Sequence, residues 1–229
     1  MGEADRIRAE YARRQAEIPA ERYEPTAPAE LYMQQSKERA AAGFLRRAGL
    51  APLGERRVLE VGCGTGGWLP TFERWGARPA DMAGVDLLEA DAEVASRRLP
   101  GADIRAGDAS SLPWEDGGFD LVVQSTVFSS ILDERMRRSV AGEMTRVLAP
   151  GGAILWFDFF VDNPRNRSVR GVRKSALEGL FPGFEPAVRS IILAPPLARA
   201  LAPRAGLAAE ALERLRVLNT HLMALLRRL

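Results

Sequence analysis

Three groups of residues in this 229-residue chain have types and spacings that suit chemistry. The first is VLEVGCGTGGW, from Val58 to Trp68, where a short apolar run around Glu60 ends in Gly62, Gly64, Gly66 and Gly67. A strand closing on such glycines makes a turn with unusual backbone angles and lets a ligand approach the main chain. The second is Asp86, which closes MAGVD 24 residues beyond Gly62. At that spacing a carboxylate accepts hydrogen bonds from both hydroxyls of a ribose. Turn and acid together point to a nucleoside-bearing ligand, although nicotinamide and flavin enzymes share the pattern. The third group is the polar run Asp158, Asp162, Asn163, Arg165, Asn166, Arg167, Arg170, Arg173 and Lys174, whose five cations suit a phosphate, a nucleotide sugar or a carboxylate. A solvated charged face, or arginines paired with Asp158 and Asp162, fits the same run.

The elements that must position these residues follow from periodicity. Short aliphatic runs near 57–61, 82–86, 102–106, 119–124 and 153–159 read as strands. They alternate with helical segments near 66–76, 89–98 and 133–148, the last marked by Met136, Val140, Met144, Val147 and Leu148. Such alternation is the mark of a mostly parallel sheet with helices on both faces, an α/β fold. Residues 3–17 read as a charged helix, Ile18 to Leu31 as irregular, and Met33 to Ala48 as a helix stopped by Gly49. Residues 1–50 thus read as an N-terminal helical cap, 51–160 as a ligand-binding core and 161–229 as an acceptor-side loop with C-terminal edge strands, all in one domain. In the tail, Val188–Leu193 and His221–Leu226 are apolar runs that periodicity leaves open between strand and helix, and an Ala/Leu/Arg helix is expected over Pro203–Leu218.

Composition narrows the class. Thirty-two Lys and Arg residues nearly cancel 30 Asp and Glu residues, so no polycationic field argues for nucleic acid. Cys63 is the only cysteine and His221 the only histidine, which leaves no internal disulfide and no ordinary zinc site. The side chain of Cys63 has no nucleophilic partner in view. A charged N-terminus without an apolar signal segment, and the lack of any stretch near the ~20 apolar residues of a membrane span, lead to the expectation of a cytoplasmic protein whose membrane contact is peripheral at most.

Four further segments decide between the ligands: Glu60 inside the first motif, GDASSLPW from Gly107, FDLVVQSTVFSS from Phe119 and RVLAPGGAILWFD from Arg146. In this order and spacing, residues 57–160 resemble the class I S-adenosylmethionine-dependent methyltransferases of the methyltransferase-11 type, a Rossmann-like fold with a central seven-stranded sheet. The segment after Trp156 and the ending LNTHLMALLRR look like a bacterial subgroup associated with glycan or secondary-metabolite biosynthesis.

The resemblance implies S-adenosylmethionine as cofactor and assigns residues to it. Gly62, Gly64 and Gly66, with Cys63 and Thr65 in the same loop, would face its methionine part, and Glu60 its amino group. Asp86 would hold the ribose and Leu87 flank the adenine. Asp108 would accept from the adenine amino group, beside Gly107 and a main-chain donor at Ala109. Gln124 would line the floor near the sulfonium, and by analogy the cap would lay Tyr32 against that cation. On the acceptor side stand Phe128, Asp158, Asn163, Arg165 and Arg170. The seventh strand of this family runs antiparallel, so His221 at its start would orient or deprotonate an acceptor hydroxyl, or simply pack. The implied acceptor is a small molecule, such as a sugar, a lipid-linked precursor or a secondary-metabolite hydroxyl. Rival readings are an RNA or protein methyltransferase, against which QSTV replaces an NPPY-like tetrapeptide, a noncatalytic cofactor-binding protein, and a nicotinamide oxidoreductase.

Overall fold

The structure, a computed structural model, describes all residues except 1, 18, 20–23 and 163–165. Its centre is one seven-stranded sheet in the order β3-β2-β1-β4-β5-β7-β6. The strands are β1 (Val58–Val61), β2 (Met82–Asp86), β3 (Asp103–Ala106), β4 (Phe119–Ser125), β5 (Leu148–Phe159), β6 (Phe184–Leu193) and β7 (Asn219–Arg228). β1 to β5 pair in parallel, and β7 runs antiparallel between β5 and β6. Both open apolar runs of the tail are therefore strands.

β1 is buried along its whole length, as a central strand covered on both faces must be. Alternation along β5 divides the core. Ala153, Leu155 and Phe157 face one side with Ala41, Leu45, Leu69, Phe72 and Met223. Ile154 and Trp156 face the other with Phe128, Val140, Met144 and Phe181.

Seven helices cover the sheet among the described residues: α1 (Glu3–Glu17), α2 (Pro28–Arg47), α3 (Leu69–Arg74), α4 (Glu89–Arg98), α5 (Glu134–Arg146), α6 (Lys174–Leu180) and α7 (Pro195–Leu215). α2 starts five residues before the expected Met33, because Pro28 takes the first helical position, where its missing N–H and fixed φ cost nothing. α5 is capped by Asp133, whose side chain accepts from the N–H of Met136 at 2.8 Å. α7 starts eight residues before the expected Pro203 and carries that proline inside it, with non-helical backbone at Ala205. The backbone at Ala205 divides α7 into two helical pieces just after that proline, whose missing N–H and ring disfavour a helix interior.

Candidate functional site

The carboxyl ends of β1, β2 and β4 open into a partly enclosed cleft. Gly62, Gly64, Asp86, Leu87, Gly107, Asp108 and Ala109 all line it, so the expected turn, acid and third-strand motif do converge on one space. Gly62 (φ +69°) and Gly64 (φ +52°) sit in the left-handed region. A Cβ at Gly62 would come within 2.3 Å of Val127 Cγ2 on the turn after β4, so only glycine fits that approach.

The hydrogen bonds of this edge are already largely committed. The N–H groups of Gly62 and Cys63 donate to the Val85 carbonyl at 2.8 and 3.0 Å, and Gly66 donates to Cys63. Gly64 donates to Asp86 Oδ2 at 2.7 Å, while Leu88 donates to Oδ1 at 2.9 Å. Glu60 is buried and accepts from the N–H groups of Trp68 (2.8 Å) and Leu69 (3.2 Å). It seals the N-terminus of α3 with its own carboxyl. Burial pushes the Glu60 pKa up to about 8, against the pull of those N–H donors and of Lys37.

A phosphate-bearing dinucleotide needs that helix end and those loop donors free for its pyrophosphate. Here the chain uses them itself, and it adds a second acid, Asp91 on α4, to the cleft wall beside Asp86. Burial raises the pKa of both acids. A cleft with committed donors and two carboxylates suits a ligand that brings hydroxyls and positive charge.

Residues 58–152 match a family model described as a methyltransferase domain. Over that stretch the chain is similar to methyltransferase domains. It is similar to the phthiotriol/phenolphthiotriol dimycocerosates methyltransferase of Mycobacterium tuberculosis, 37% identical over 146 residues that cover 62% of this chain and 53% of the relative. It is also similar to the fatty-acid O-methyltransferase of Mycolicibacterium smegmatis, 41% identical over 105 residues, covering 45% of this chain and 37% of the relative. The chain spans about half the length, or less, of these curated relatives. Among solved structures, the 1,6-didemethyltoxoflavin-N1-methyltransferase of Burkholderia thailandensis shares the fold with a TM-score of 0.66, at 18% identity over 98% of this chain and 88% of that one.

The remaining expected site residues lie away from the cleft. Tyr32 is buried against α7, where its hydroxyl donates to the Ala209 carbonyl at 3.2 Å and bonds to Glu213. Gln124 is buried and turned into the edge: its Nε2 donates to the Phe157 carbonyl (3.2 Å) and its Oε1 accepts from Val127 N–H (3.1 Å). It thereby braces the turn at Thr126, which lines the cleft at φ 60°. Cys63 is buried, with its thiol pKa raised by that burial, and Thr65 is held by Arg98 on the surface. Phe128 is a core residue, 4.4 Å from Trp156 between ring centroids. Asp158 is also buried, accepting from the N–H groups of Ser129 (3.0 Å) and Phe159 (2.9 Å), and burial pushes its pKa up to about 7. Arg170 is exposed, and Asn163 and Arg165 fall outside the described residues.

His221 is the third residue of β7, not its first, and lies opposite Phe159 and Ile191. Its ring stacks on Phe157 at 5.2 Å, and its Nδ1 is 3.0 Å from Thr220 Oγ1. Burial first, then the charge of Lys37, lowers its pKa to about 4.

The cap over the cleft is α1, where Ile7 and Tyr11 line the wall. Tyr11 reaches Ser130 Oγ at 3.3 Å. Glu3 accepts from the N–H groups of Leu132 and Asp133, and Arg6 donates to the Ser130 carbonyl. A signal for this was present in the sequence: Ile7 and Tyr11 stand four apart on a helix otherwise made of charges and small residues.

Proposed function

We propose that this protein transfers a methyl group from S-adenosylmethionine to a small acceptor of lipid type. The single observation that carries the donor half is the sealed start of α3 beside the open acids Asp86 and Asp91, which turns away pyrophosphate and favours a cationic nucleoside. The acceptor half is supported by relatives whose names specify dimycocerosates and a fatty acid, and no residue found in the cleft requires a sugar or a nucleic acid.

In this reading the whole chain works as one unit, with α1 as lid, residues 51–160 as donor site and the remainder as acceptor side. Asp86 holds the ribose hydroxyls, with its orientation fixed by the two N–H bonds it accepts. Asp108, oriented by Ser110 N–H at 2.8 Å, faces the adenine amino group beside Ala109 and Leu87. Gly62 and Gly64 offer Cα and carbonyl atoms along the methionine tail. S-adenosylmethionine supplies a methyl group already activated on its sulfonium. The protein therefore has mainly to align the acceptor, excluding water and holding the reacting atoms at about 3 Å. His221 stays neutral at pH 7 and is a poor base, so its place in this scheme is to shape the acceptor wall. The single unpaired cysteine accords with a cytoplasmic setting.

Incubation of the protein with tritiated S-adenosylmethionine and lipid extract tests the reading directly. Label should move into the organic phase, and Asp86→Ala should abolish that transfer. Label remaining wholly in the aqueous donor, at any protein concentration, would contradict it.

A further inference from the structure

The outer face of α7 is apolar, and its only exposed charges are positive. On the inner side Ala198 and Ala209 are buried with Tyr32 and Leu193, and Leu201, Ala202 and Leu212 pack against them. A surface helix anchored in this way ordinarily turns charge and polarity outward. Instead Leu207 is 86% exposed and Leu215 68%, and the link that follows the helix adds Val217 at 82% and Leu218 at 44%. Leu197, Ala200 and Ala211 extend the same exposed surface. Single exposed leucines need no explanation, but a run of them along one element marks a face that something covers.

The charges select what covers it. Every exposed charge from Pro195 to Leu218 is an arginine: Arg204, Arg214 and Arg216. The two acids of the segment are withdrawn, Glu213 bonded to the hydroxyls of Tyr32 and Ser36 on α2, and Glu210 half-buried. A second copy of this chain on a two-fold axis would set these arginines against themselves, with no exposed acid to meet them. An anionic lipid surface matches both features. Leucines enter the headgroup boundary, while arginine stems lie along it and place their guanidinium groups at the phosphates. No helix among the described residues is long and apolar enough to cross a membrane, so the contact is one that lies along the surface.

The fold fixes where that contact sits. β6 and β5 each pair antiparallel with β7, so β6 ends at the same edge of the sheet as the parallel strands. α7 leaves that edge after Leu193 and returns to it at Asn219, the residue with which Leu193 pairs, and the N–H of Ala194 donates to the Leu218 carbonyl at 2.8 Å. Both ends of α7 are therefore held at the carboxyl edge, into which the cleft opens.

We propose that α7 and the link Arg216–Leu218 form a docking surface for an anionic membrane. The surface goes beyond the methyl-transfer reading and acts without a methyl donor. For an acceptor of lipid type, docking brings the cleft's edge of the sheet to the phase that holds it.

Flotation of the full chain with vesicles, in the absence of any methyl donor, tests the surface. The parent should float with vesicles of phosphatidylcholine and one-third phosphatidylglycerol at least about fivefold more than with phosphatidylcholine alone, and molar salt should release it. Leu207→Ser combined with Leu215→Ser should lose roughly tenfold or more of that flotation, and Arg204→Gln combined with Arg214→Gln about fivefold. Each pair should keep Tm within about 2 °C of the parent, because all four side chains are exposed. Leu229→Ser, at a residue 87% exposed but at the opposite edge of the sheet where β7 ends, should float like the parent. No flotation of the parent, unchanged flotation of the leucine pair, or equal flotation with neutral vesicles would overturn the proposal. So would a parent that does not float but sediments as a dimer, which the leucine pair returns to monomer, since the face would then belong to a second copy.

Discussion

In the proposed function, Asp86 concentrates the donor chemistry in one side chain. Gly64 and Leu88 hold its two oxygens by one N–H bond each, which leaves lone pairs on both for a vicinal diol. Asp86→Ala is expected to weaken S-adenosylhomocysteine at least tenfold, about 1.4 kcal/mol or more for hydrogen bonds to a charged group, as calorimetry would read. His221 gives a second residue-scale test, and as the only histidine its NMR signals are unambiguous. Its folded pKa is depressed, to about 4, so the neutral ring's contribution to stability is present above the ordinary value near 6.5 and is lost as pH falls toward 4. The imidazole resonances should stay flat from pH 5.5 to 8, and a midpoint near 6.5 would show an exposed ring. Asp86, Gly62 and Gly64 were legible as residues of the cleft wall because their spacing from a strand end fixes where they point, whereas Asp108 came through the family resemblance and Gly66 turns away from the cleft. Tyr32, Phe128 and Asp158 were not, since an aromatic or acidic residue reads the same in sequence whether it faces a ligand or the core.

At the scale of elements, α1 is the part whose work differs most from its appearance. Arg6 beside it, with the Leu132 and Asp133 N–H groups, holds the Glu3 pKa down to about 2. The anchor is thus in place above the ordinary carboxylate value and is lost only as pH falls toward 2, so it holds unchanged from pH 5 to 8. Glu3 is partly exposed, and its contribution to overall stability is correspondingly small. Glu3→Gln should therefore lower S-adenosylhomocysteine affinity about threefold to tenfold while shifting Tm by less than about 2 °C. Unchanged affinity would show that α1 does not close the donor cleft. The parallel strands stood out in sequence by their apolar runs, and α4 by its place in the alternation between them. Helix starts at Pro28 and Pro195 did not, because a proline reads as a breaker in sequence although it favours the first helical turn.

Across the whole molecule, two buried carboxyls tie stability to pH. Burial lifts Asp158 to about 7 and Glu60 to about 8, so the stability each gives is fully present below the ordinary carboxylate range and is lost as pH rises through those values. The parent's Tm should fall between pH 5 and pH 8.5. The double variant Glu60→Gln, Asp158→Asn should show a shallower fall, and a slope identical to the parent's would mean that neither group titrates in the folded state. The sheet order itself was legible as a class, since alternating strands and helices permit few topologies. The antiparallel β6–β7 edge was expected from the family resemblance, because periodicity left both runs open.

The central claim is that the edge after β1 takes a sulfonium nucleoside and refuses a dinucleotide. Calorimetric titration of the full chain with S-adenosylmethionine, S-adenosylhomocysteine and NAD tests it most directly. Saturable heat at one site per chain with the first two, and none with NAD, is the predicted result. Heat with NAD alone, or with none of the three, would contradict the account.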